Sequence, residues 1–433
     1  MNLINSQINK SIINTFLLVI VYASAFYMLQ IFLFKIGMLS VLPDEHNIAV
    51  FDANWYYSIK HEGYKYGSGG SNSGFYILLP WVWELLHVGS WGMSIANIIF
   101  FASGFTILCS LLDSIGNSKI TTIDKILWLS IPTVFYAFIP YAEALYFLLS
   151  TTALYGICFN KRWLIWISLI LLSLTRATAV LLLPAFLFMN LVSAEPKYWF
   201  RSFIHYIVNY ATPIIIGTWM FILYQYKTTG VWFAYYKQQH DHWSREFSWP
   251  AFPLNSTEGN RTVWLGALAI FVCILALICV IIFFYKWIVE KNVAKNKLLA
   301  LSTFYLTMTL ITIIFFNPKW SPGNCNTNIM GAHRYGLMNP FFYVLLYQFT
   351  KEKEYTLQQY FGVFLLANAV WLLFGSYTHL QFFLFFTIDS IIVLLYMLSS
   401  NKRLMWPIIC LITLNFFIQI HLFQQFMALV YVD

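Results

Sequence analysis

The chain has 433 residues, of which 60% are hydrophobic, 20% are aromatic and only 10% are charged, and its formal net charge is +8. Soluble domains usually carry about 25% charged residues, so this composition excludes a water-soluble fold. The basic residues form no single run or face, which excludes nucleic-acid binding as the reason for the positive charge. Composition therefore predicts an all-α polytopic membrane protein, with residues 1–433 as a single integral membrane domain.

Apolar runs that approach or reach spanning length recur along the whole chain. A membrane-spanning helix needs roughly 20 predominantly apolar residues. By this criterion we predict a bundle of about 11–13 transmembrane helices. The predicted spans are 12–34, 93–112, 126–139, 142–158, 163–175, 177–192, 204–224, 263–285, 298–316, 335–349, 361–375, 380–399 and 405–425.

The distribution of basic residues predicts the orientation of these spans. With the N-terminus inside, the predicted inner loops contain 15 of the 25 Lys and Arg residues, although the outer segments are nearly twice as long. Cytoplasmic loops are enriched in Lys and Arg, so we predict a cytoplasmic N-terminus. The outer side then carries three substantial loops, 35–92, 225–262 and 317–334, and we expect interfacial helices in the first of them.

The first outer loop contains a polar and aromatic stretch, FDANWYYSIKHEGY, at residues 51–64. If this stretch is helical from Asp52, the Asp52 carboxylate lies at the N-terminal tip of an interfacial helix, where it can reach a hydroxyl acceptor. The alternative is that Asp52 is a helix N-cap and that the aromatic residues after it belong to an interface belt. Asp44 and Glu45, upstream, are reserve carboxylates.

Two further charged residues mark the outer ends of predicted spans. Arg176, in SLTRATAV, lies within the apolar stretch 163–192. Charged residues inside a membrane are costly and usually functional, whereas an Arg at a break between two helices can snorkel to the surface. Glu143 follows Pro140 at the start of a span, where an acid is also favoured by the helix dipole alone.

Other polar groups on the predicted outer side have less specific interpretations. Arg334 opens a late span beside His333, and it suits either a phosphate ligand or a lipid headgroup. His240, Asp241 and His242 have no recognised metal spacing, so we interpret them as a solvated loop without metal. Asp389 lies midway in the predicted span 380–399, and the sequence assigns it no role.

Several segments, taken in order, resemble one family. They are FDANWYYSIKHEGY at 51–64, FYILLP at 75–80, PYAEALYFLLSTTALY at 140–155, RWLIWISLILLSLTRATAVLLLP at 162–184 and HRYGLMNPFF at 333–342. Together they resemble the GPI second-mannose transferases and their prokaryotic relatives, which belong to the GT-C superfamily of membrane glycosyltransferases. Two departures are visible: Phe51 replaces the usual Trp, and the linker after Tyr64 is glycine-rich and lacks the acid found there in the family.

The resemblance implies an inverting glycosyltransferase with a GT-C-like fold. It would move a sugar, with mannose expected, from a dolichyl- or undecaprenyl-phosphate donor to a membrane-associated glycolipid, polysaccharide or protein on the outer face. Asp52 matches the catalytic acid of the first loop in that superfamily. The prokaryotic relatives favour a bacterial or archaeal plasma membrane over the endoplasmic reticulum. No cofactor, metal or nucleic acid is expected.

The chemistry of such a transfer suggests the substrate-binding residues. Arg176 and Arg334 would stabilise the donor phosphate, because the leaving group needs charge stabilisation rather than a proton. His333, next to Arg334, could add a hydrogen-bond donor, and Glu143, at the outer start of a span, is also predicted to bind substrate. The aromatic residues Trp55, Tyr56 and Tyr64 would complete the sugar-binding set.

Two other classes of function stay open from the sequence. One is a lipid-linked glycan flippase or polytopic transporter without transferase activity. The other is a structural subunit of a membrane glycan assembly complex. A transporter is expected to carry polar residues deep along several helices and some repeat symmetry, whereas this sequence concentrates its polarity on one side.

Overall fold

The structure is a computed structural model in which residues 2–67, 71–256, 263–316, 326–351, 356–374, 390, 405–430 and 432 are described. Within these ranges the side chains of residues 2–9 and 351 are not described. Apart from Ser390, the predicted span 380–399 with Asp389 lies outside the described residues. The same is true of residues 257–262 and 317–325 in the predicted outer loops.

Throughout the described residues the regular structure is helical, and the β contacts there are two isolated bridges, Leu254 with Phe374 and Asn255 with Asn328. The α-helices, in chain order, are α1 (Asn2–Lys35), α2 (Asp52–Glu62), α3 (Leu78–Leu86), α4 (Ser90–Ile115), α5 (Thr122–Leu129), α6 (Glu143–Cys158), α7 (Arg162–Ser173), α8 (Leu182–Val192), α9 (Trp199–Tyr206), α10 (Thr212–Thr229), α11 (Ala234–Asp241), α12 (Val263–Ile288), α13 (Lys297–Phe315), α14 (Ala332–Leu337), α15 (Pro340–Lys351), α16 (Leu357–Trp371) and α17 (Met405–Met427).

Six of the described helical stretches are long and apolar enough to cross a membrane. They are Lys10–Lys35, Ser90–Ile115, Pro196–Thr229, Val263–Ile288, Lys297–Phe315 and Met405–Met427. A seventh is possible if the 3₁₀ helix Pro132–Phe138 and α6 form one span with a bend of 98°. This architecture confirms the prediction of an all-α polytopic membrane protein. The predicted spans 163–175 and 177–192 correspond to shorter apolar helices.

Exposed apolar side chains on α1 fit a lipid environment. Ile13, Val21, Met28 and Phe32 lie close to one side of the helix, and each is more than half exposed. In water such a stripe would be unfavourable, whereas lipid tails solvate it. The opposite side of α1 packs against protein and includes Phe26, which is fully buried.

The prediction of one continuous span over 126–139 is wrong. Helix α5 ends at Leu129, and a separate 3₁₀ helix covers Pro132–Phe138. Pro132 causes the break, because proline lacks a backbone N–H and disfavours the helical conformation in the residue before it. Ile131 accordingly has a ψ angle of 127°.

The predicted break inside 163–192 is confirmed at Arg176. Helix α7 ends at Ser173, and a 3₁₀ turn over Ala177–Leu181 leads into α8. Arg176 therefore lies in the connection between two helices rather than in the middle of one.

The chain divides into two compact units whose segments alternate along the sequence. The first unit contains Met1–Ala179, Thr212–Tyr236 and Ile412–Val430, and the second contains Val180–Ala211, Lys237–Leu411 and Tyr431–Asp433. Neither unit is a contiguous stretch of chain. The assignment of residues 1–433 to one membrane domain stays a prediction.

In the first unit, α4 and α6 pack in parallel. Asn97 on α4 contacts the backbone carbonyl groups of Ile139 and Tyr141, just before α6. Seven residues further along α4, a Cβ on Gly104 would lie 2.9 Å from the Cα of Leu148. Leu148 likewise follows Tyr141 by seven residues, so the contacts move in the same direction along both helices. The two helices are therefore parallel. Gly104 lets the two backbones approach closely, as small residues do in membrane helix pairs.

The close contact between α7 and α10 leads to a first prediction. A Cβ on Gly217 would lie 2.5 Å from the carbonyl oxygen of Ile170 and 2.8 Å from the Cβ of Ser173. Because a backbone atom cannot move aside easily, Gly217→Ala is expected to destabilise the fold by about 1–3 kcal/mol. The measurement is thermal unfolding of the purified protein in detergent.

Gly362 provides a matched control for this substitution. It also lies within a helix, α16, but its Cβ position has no neighbouring atom within 4 Å. Gly362→Ala is therefore expected to be neutral or to stabilise the fold by up to about 1 kcal/mol. Equal stability changes for the two variants would contradict the tight packing of α7 against α10.

A buried glutamine forms hydrogen bonds with backbone carbonyl groups at the end of α5. The Gln419 amide nitrogen donates hydrogen bonds to the carbonyl oxygens of Leu129 and Ile131, at 2.8 and 2.7 Å. Its carbonyl oxygen accepts a hydrogen bond from the Tyr22 hydroxyl at 2.9 Å. The side chain is fully buried, so it replaces the helical hydrogen bonds that the break at Pro132 removes.

Gln419→Leu is expected to destabilise the protein by at least about 2 kcal/mol, because it deprives several buried polar groups of a partner. Thermal unfolding measures the loss. Gln358→Leu is the control, since Gln358 is exposed on α16 and its replacement is expected to change stability by no more than about 0.5 kcal/mol. A loss no larger than that of the control would show that the Gln419 hydrogen bonds contribute nothing.

The second unit is organised around α12 and α13. A Cβ on Gly336, in α14, would lie 3.0 Å from the Cβ of Ala269 on α12, so the two helices pack closely. A small cluster of buried residues joins α8, α12 and α13 through Phe188, Val280 and Ala300.

Two of the predicted outer loops also meet within this unit. The Thr327 backbone N–H donates to the Ala251 carbonyl oxygen at 3.0 Å, and the Ala251 N–H donates to the Thr327 hydroxyl at 2.8 Å. The loops 225–262 and 317–334 are therefore in direct contact.

Candidate functional site

Asp52 begins helix α2, as the sequence predicted. Phe51 occupies the N-cap position with a φ angle of 53°, so Asp52 is the first helical residue and not the cap proposed as the alternative. Its backbone N–H donates to the Tyr141 hydroxyl oxygen at 3.3 Å. Asp52 is half-buried, and its carboxylate lies in the first turn, where the helix dipole favours negative charge.

The two reserve carboxylates upstream act as backbone caps. Asp44 accepts hydrogen bonds from the N–H groups of His46 and Asn47 at 2.8 and 2.9 Å, and the bond from Asn47 is the main cause of its lowered pKa. Glu45 accepts from the N–H groups of Ser90 and Trp91, at 2.6 and 3.3 Å, at the start of α4. Both carboxylates thus have a structural role in holding the backbone of this loop.

Tyr141, the partner of the Asp52 backbone, is held in place from α4. The carbonyl oxygen of Ile139 and that of Tyr141 itself accept hydrogen bonds from the Asn97 amide. The bond to Tyr141 is 2.8 Å long. Tyr141 is buried. Sequence reasoning missed Asn97 and Tyr141. The available signal was an amide inside an apolar span, a position that is costly unless the group has partners.

Glu143 and Arg176 form a buried ion pair. Arg176 Nη1 lies 2.8 Å from Glu143 Oε1, and the two side chains are 10% and 0% exposed. The Arg176 guanidinium carbon also lies 5.9 Å from the ring centroid of Tyr146. The sequence singled out both charges, and the structure brings them together across 33 positions of the chain. Arg176 lies at the break between two helices, as the snorkelling alternative assumed, and its guanidinium is paired with a buried carboxylate.

The elements that carry Asp52, Glu143 and Arg176 pack into one buried cluster. Tyr56 and Ile59 of α2 contribute to it, as do Ala142 beside Glu143 and Leu174 beside Arg176. The Leu174 carbonyl oxygen also accepts a hydrogen bond from the Leu78 N–H at 2.9 Å. The start of α2, the start of α6 and the turn after α7 therefore form one packed region, which we call the Asp52 site.

Of the aromatic residues predicted to bind sugar, two are core residues. Tyr56 and Tyr64 are buried, and the Tyr64 hydroxyl donates to the Phe75 carbonyl oxygen at 2.7 Å. Burial also raises the pKa of Tyr64 well above its ordinary value. Trp55 is only half-buried and stacks on Phe75, with ring centroids 5.9 Å apart. Trp55 is therefore the best placed of the three to contact a ligand. Tyr56 and Tyr64 belong to the buried packing that supports α2.

Arg334 and His333 lie in α14, within the second unit. Both are buried, with 4% and 3% of their surface exposed. This burial contradicts the alternative in which Arg334 simply faces lipid headgroups. A buried arginine is costly unless neighbouring groups compensate its charge.

The predicted solvated loop at 240–242 is partly helical. His240 and Asp241 form the end of α11, and the His240 Nδ1 atom lies 2.9 Å from Asp241 Oδ1. Both side chains are more than half exposed. Solvation was predicted correctly, whereas the loop conformation was not.

Comparison of the chain with protein-family models, with curated proteins and with solved structures found no match.

Proposed function

We propose that this protein is an inverting GT-C-type glycosyltransferase, which moves a sugar from a polyprenyl-phosphate donor to a membrane-associated acceptor on the extracytoplasmic face. Mannose is the expected sugar. The observation that supports this most is the Asp52 site: a half-buried acid begins α2 and packs against the segment that holds the buried Glu143–Arg176 pair. The site combines a carboxylate with a guanidinium, the two groups that this transfer requires.

Asp52 is assigned the role of general base. In the proposed step, the Asp52 carboxylate takes the proton of the acceptor hydroxyl while the acceptor oxygen attacks the anomeric carbon of the donor sugar. The bond between that carbon and the phosphate oxygen breaks, and its electron pair leaves with polyprenyl phosphate. A single displacement inverts the anomeric configuration, and a positioned carboxylate typically contributes about 10²–10⁴-fold to such a proton transfer.

Arg176 is assigned to the leaving phosphate. A guanidinium has five N–H donors in a rigid fork, a geometry that suits a phosphate group. Glu143 orients the guanidinium and offsets the cost of holding a cation among apolar residues. Arg334 is buried in α14 of the second unit, and its predicted contact with phosphate stays a prediction from the sequence.

The membrane environment suits a polyprenyl donor. The described spanning helices hold the chain in the bilayer, and a polyprenyl chain is confined there as well. A donor of this kind carries its activated sugar to the interface, so no nucleotide site is required.

The proposal is tested by incubating the purified protein in liposomes with radiolabelled polyprenyl-phosphate mannose and a glycolipid extract as acceptor. We expect label to appear in a new glycosidic product, together with free polyprenyl phosphate. The competing flippase function predicts instead that labelled donor crosses the bilayer unchanged. Transfer from a different polyprenyl-phosphate sugar would correct the sugar alone. The absence of transfer from every such donor would contradict the proposed activity.

A further inference from the structure

A separate, open cavity lies at the turn between α6 and α7. Its volume is about 680 Å³, and it is lined by Asn160, Lys161, Arg162, Trp163 and Trp166. These residues play no part in the proposed transfer. The cavity includes the basic loop 159–162, which the charge distribution places on the cytoplasmic side of the membrane.

The turn that forms the cavity is tightly built. Asn160 has a φ angle of 52°, in the left-handed region that Asn tolerates well. The N–H groups of Asn160 and Lys161 donate to the carbonyl oxygens of Ile157 and Gly156, at 3.4 and 2.8 Å. This is the hydrogen-bond pattern of a Schellman motif, which ends α6 and allows α7 to start at once. The backbone under the cavity is therefore well defined.

The charges at this turn conflict with the helix that they begin. Lys161 is the N-cap of α7 and Arg162 its first residue, and the first turn contains no acid. The N-terminus of a helix carries partial positive charge, so two cations there are unfavourable. Such a local conflict is expected where function requires it, and a bound anion would relieve it by facing both cations and the helix N-terminus.

The aromatic residues indicate where the anion comes from. The Arg162 guanidinium lies 6.0 Å from the ring centroid of Trp166, which orients it beside the cavity. Trp163 and Ile167 are 63% and 51% exposed, and they lie one helical turn apart on an apolar face. An exposed Trp above an apolar face is typical of the membrane interface, where lipid phosphates lie. A lipid headgroup would thus reach the cavity directly from the bilayer.

We propose that this cavity binds the phosphate group of an anionic phospholipid in the cytoplasmic leaflet. Lys161 and Arg162 contact the phosphate, and the Trp163 ring packs against the glycerol and upper acyl region. Anionic lipids are enriched in that leaflet, which gives the site a ready ligand. This inference does not depend on the proposed transferase activity.

The experiment uses the full chain in a neutral detergent and measures its unfolding temperature against the concentration of short-chain phosphatidylglycerol. We expect a saturable rise with the wild type. We expect a much smaller rise with short-chain phosphatidylcholine, whose quaternary ammonium opposes the two cations, and none with inorganic phosphate at the same concentration. No rise with phosphatidylglycerol would overturn the proposal. An equal rise with inorganic phosphate would indicate a free-anion site, and an equal rise with phosphatidylcholine would show that the anionic headgroup is not recognised.

Lys161→Gln/Arg162→Gln is the test variant, and its apparent affinity for phosphatidylglycerol is expected to fall by at least about tenfold, as for a lost charge-assisted hydrogen bond. Because the substitution removes the conflict with the helix dipole, the lipid-free variant should unfold at the same temperature as the wild type or higher. Lys119→Gln/Lys197→Gln removes the same charge from two exposed lysines on the predicted cytoplasmic side. Equal weakening in that control would show that charge alone attracts the lipid, and would overturn the site.

Arg162→Lys distinguishes a defined binding site from general electrostatic attraction between the lipid and positive charge. It keeps the charge and loses the planar fork beside Trp166. A defined site predicts affinity several-fold below that of the wild type, whereas unchanged affinity would contradict a role for the Arg162–Trp166 geometry.

Discussion

Asparagine in place of Asp52 is expected to lower sugar transfer by about 10²–10⁴-fold, the usual contribution of a general base. Asn has nearly the same shape as Asp, but its amide cannot accept the acceptor's proton at neutral pH. The Asp52 backbone N–H donates the hydrogen bond to Tyr141, and the substitution preserves this group. The variant should therefore fold normally and bind the donor, so that the loss appears in kcat.

Glu62→Gln is the matched control, because Glu62 ends the same helix and undergoes the same chemical change. Its side chain is about half exposed and pairs with Lys65 at 2.9 Å. Exposed pairs contribute little to stability, so transfer and unfolding temperature should both stay close to those of the wild type. Full activity in Asp52→Asn would remove Asp52 as the base. An equal loss in both variants would indicate damage to α2 instead.

Glutamine in place of Glu143 is expected to destabilise the protein by roughly 3–5 kcal/mol, the usual cost of breaking a buried ion pair. The substitution removes the negative charge that lies 2.8 Å from Arg176 Nη1, and leaves the cation among apolar residues. This prediction concerns the fold and holds whether or not the protein is a transferase. Unfolding in detergent measures it.

A double-mutant cycle isolates the interaction between the two charges. Glu143→Gln/Arg176→Gln replaces both ions with neutral amides, so the double variant should be more stable than the sum of the single losses predicts, by at least about 2 kcal/mol. The same cycle on Glu195 and Lys197 is the control, because that pair has a similar distance, 2.9 Å, but is more than half exposed. Its coupling should be much weaker than that of the buried pair, because solvent screens exposed charges. Similar coupling in the two cycles would contradict the importance of burial.

Local patterns predicted the parts of this protein that depend on chain neighbours. Apolar length identified the spanning class, since lipid requires that each backbone polar group be satisfied within a helix. The start of α2 at Asp52 and the break at Arg176 followed from single polar residues at the edges of apolar runs. Pro132 was equally visible, and its neglect explains the wrong continuous span over 126–139.

What the sequence by itself determined is therefore the membrane class, the positions of the main helices and the residues that are chemically unusual. Tertiary structure alone decided their partners: Glu143 for Arg176, Tyr141 for the Asp52 backbone, and Glu45 for the start of α4. It also decided that Tyr56 and Tyr64 are buried while Trp55 stays partly open. The physical reason is the separation along the chain over which each interaction acts. Periodicity and capping act over a few residues, whereas these pairings join helices far apart in the chain, and close packing selects which side chains meet.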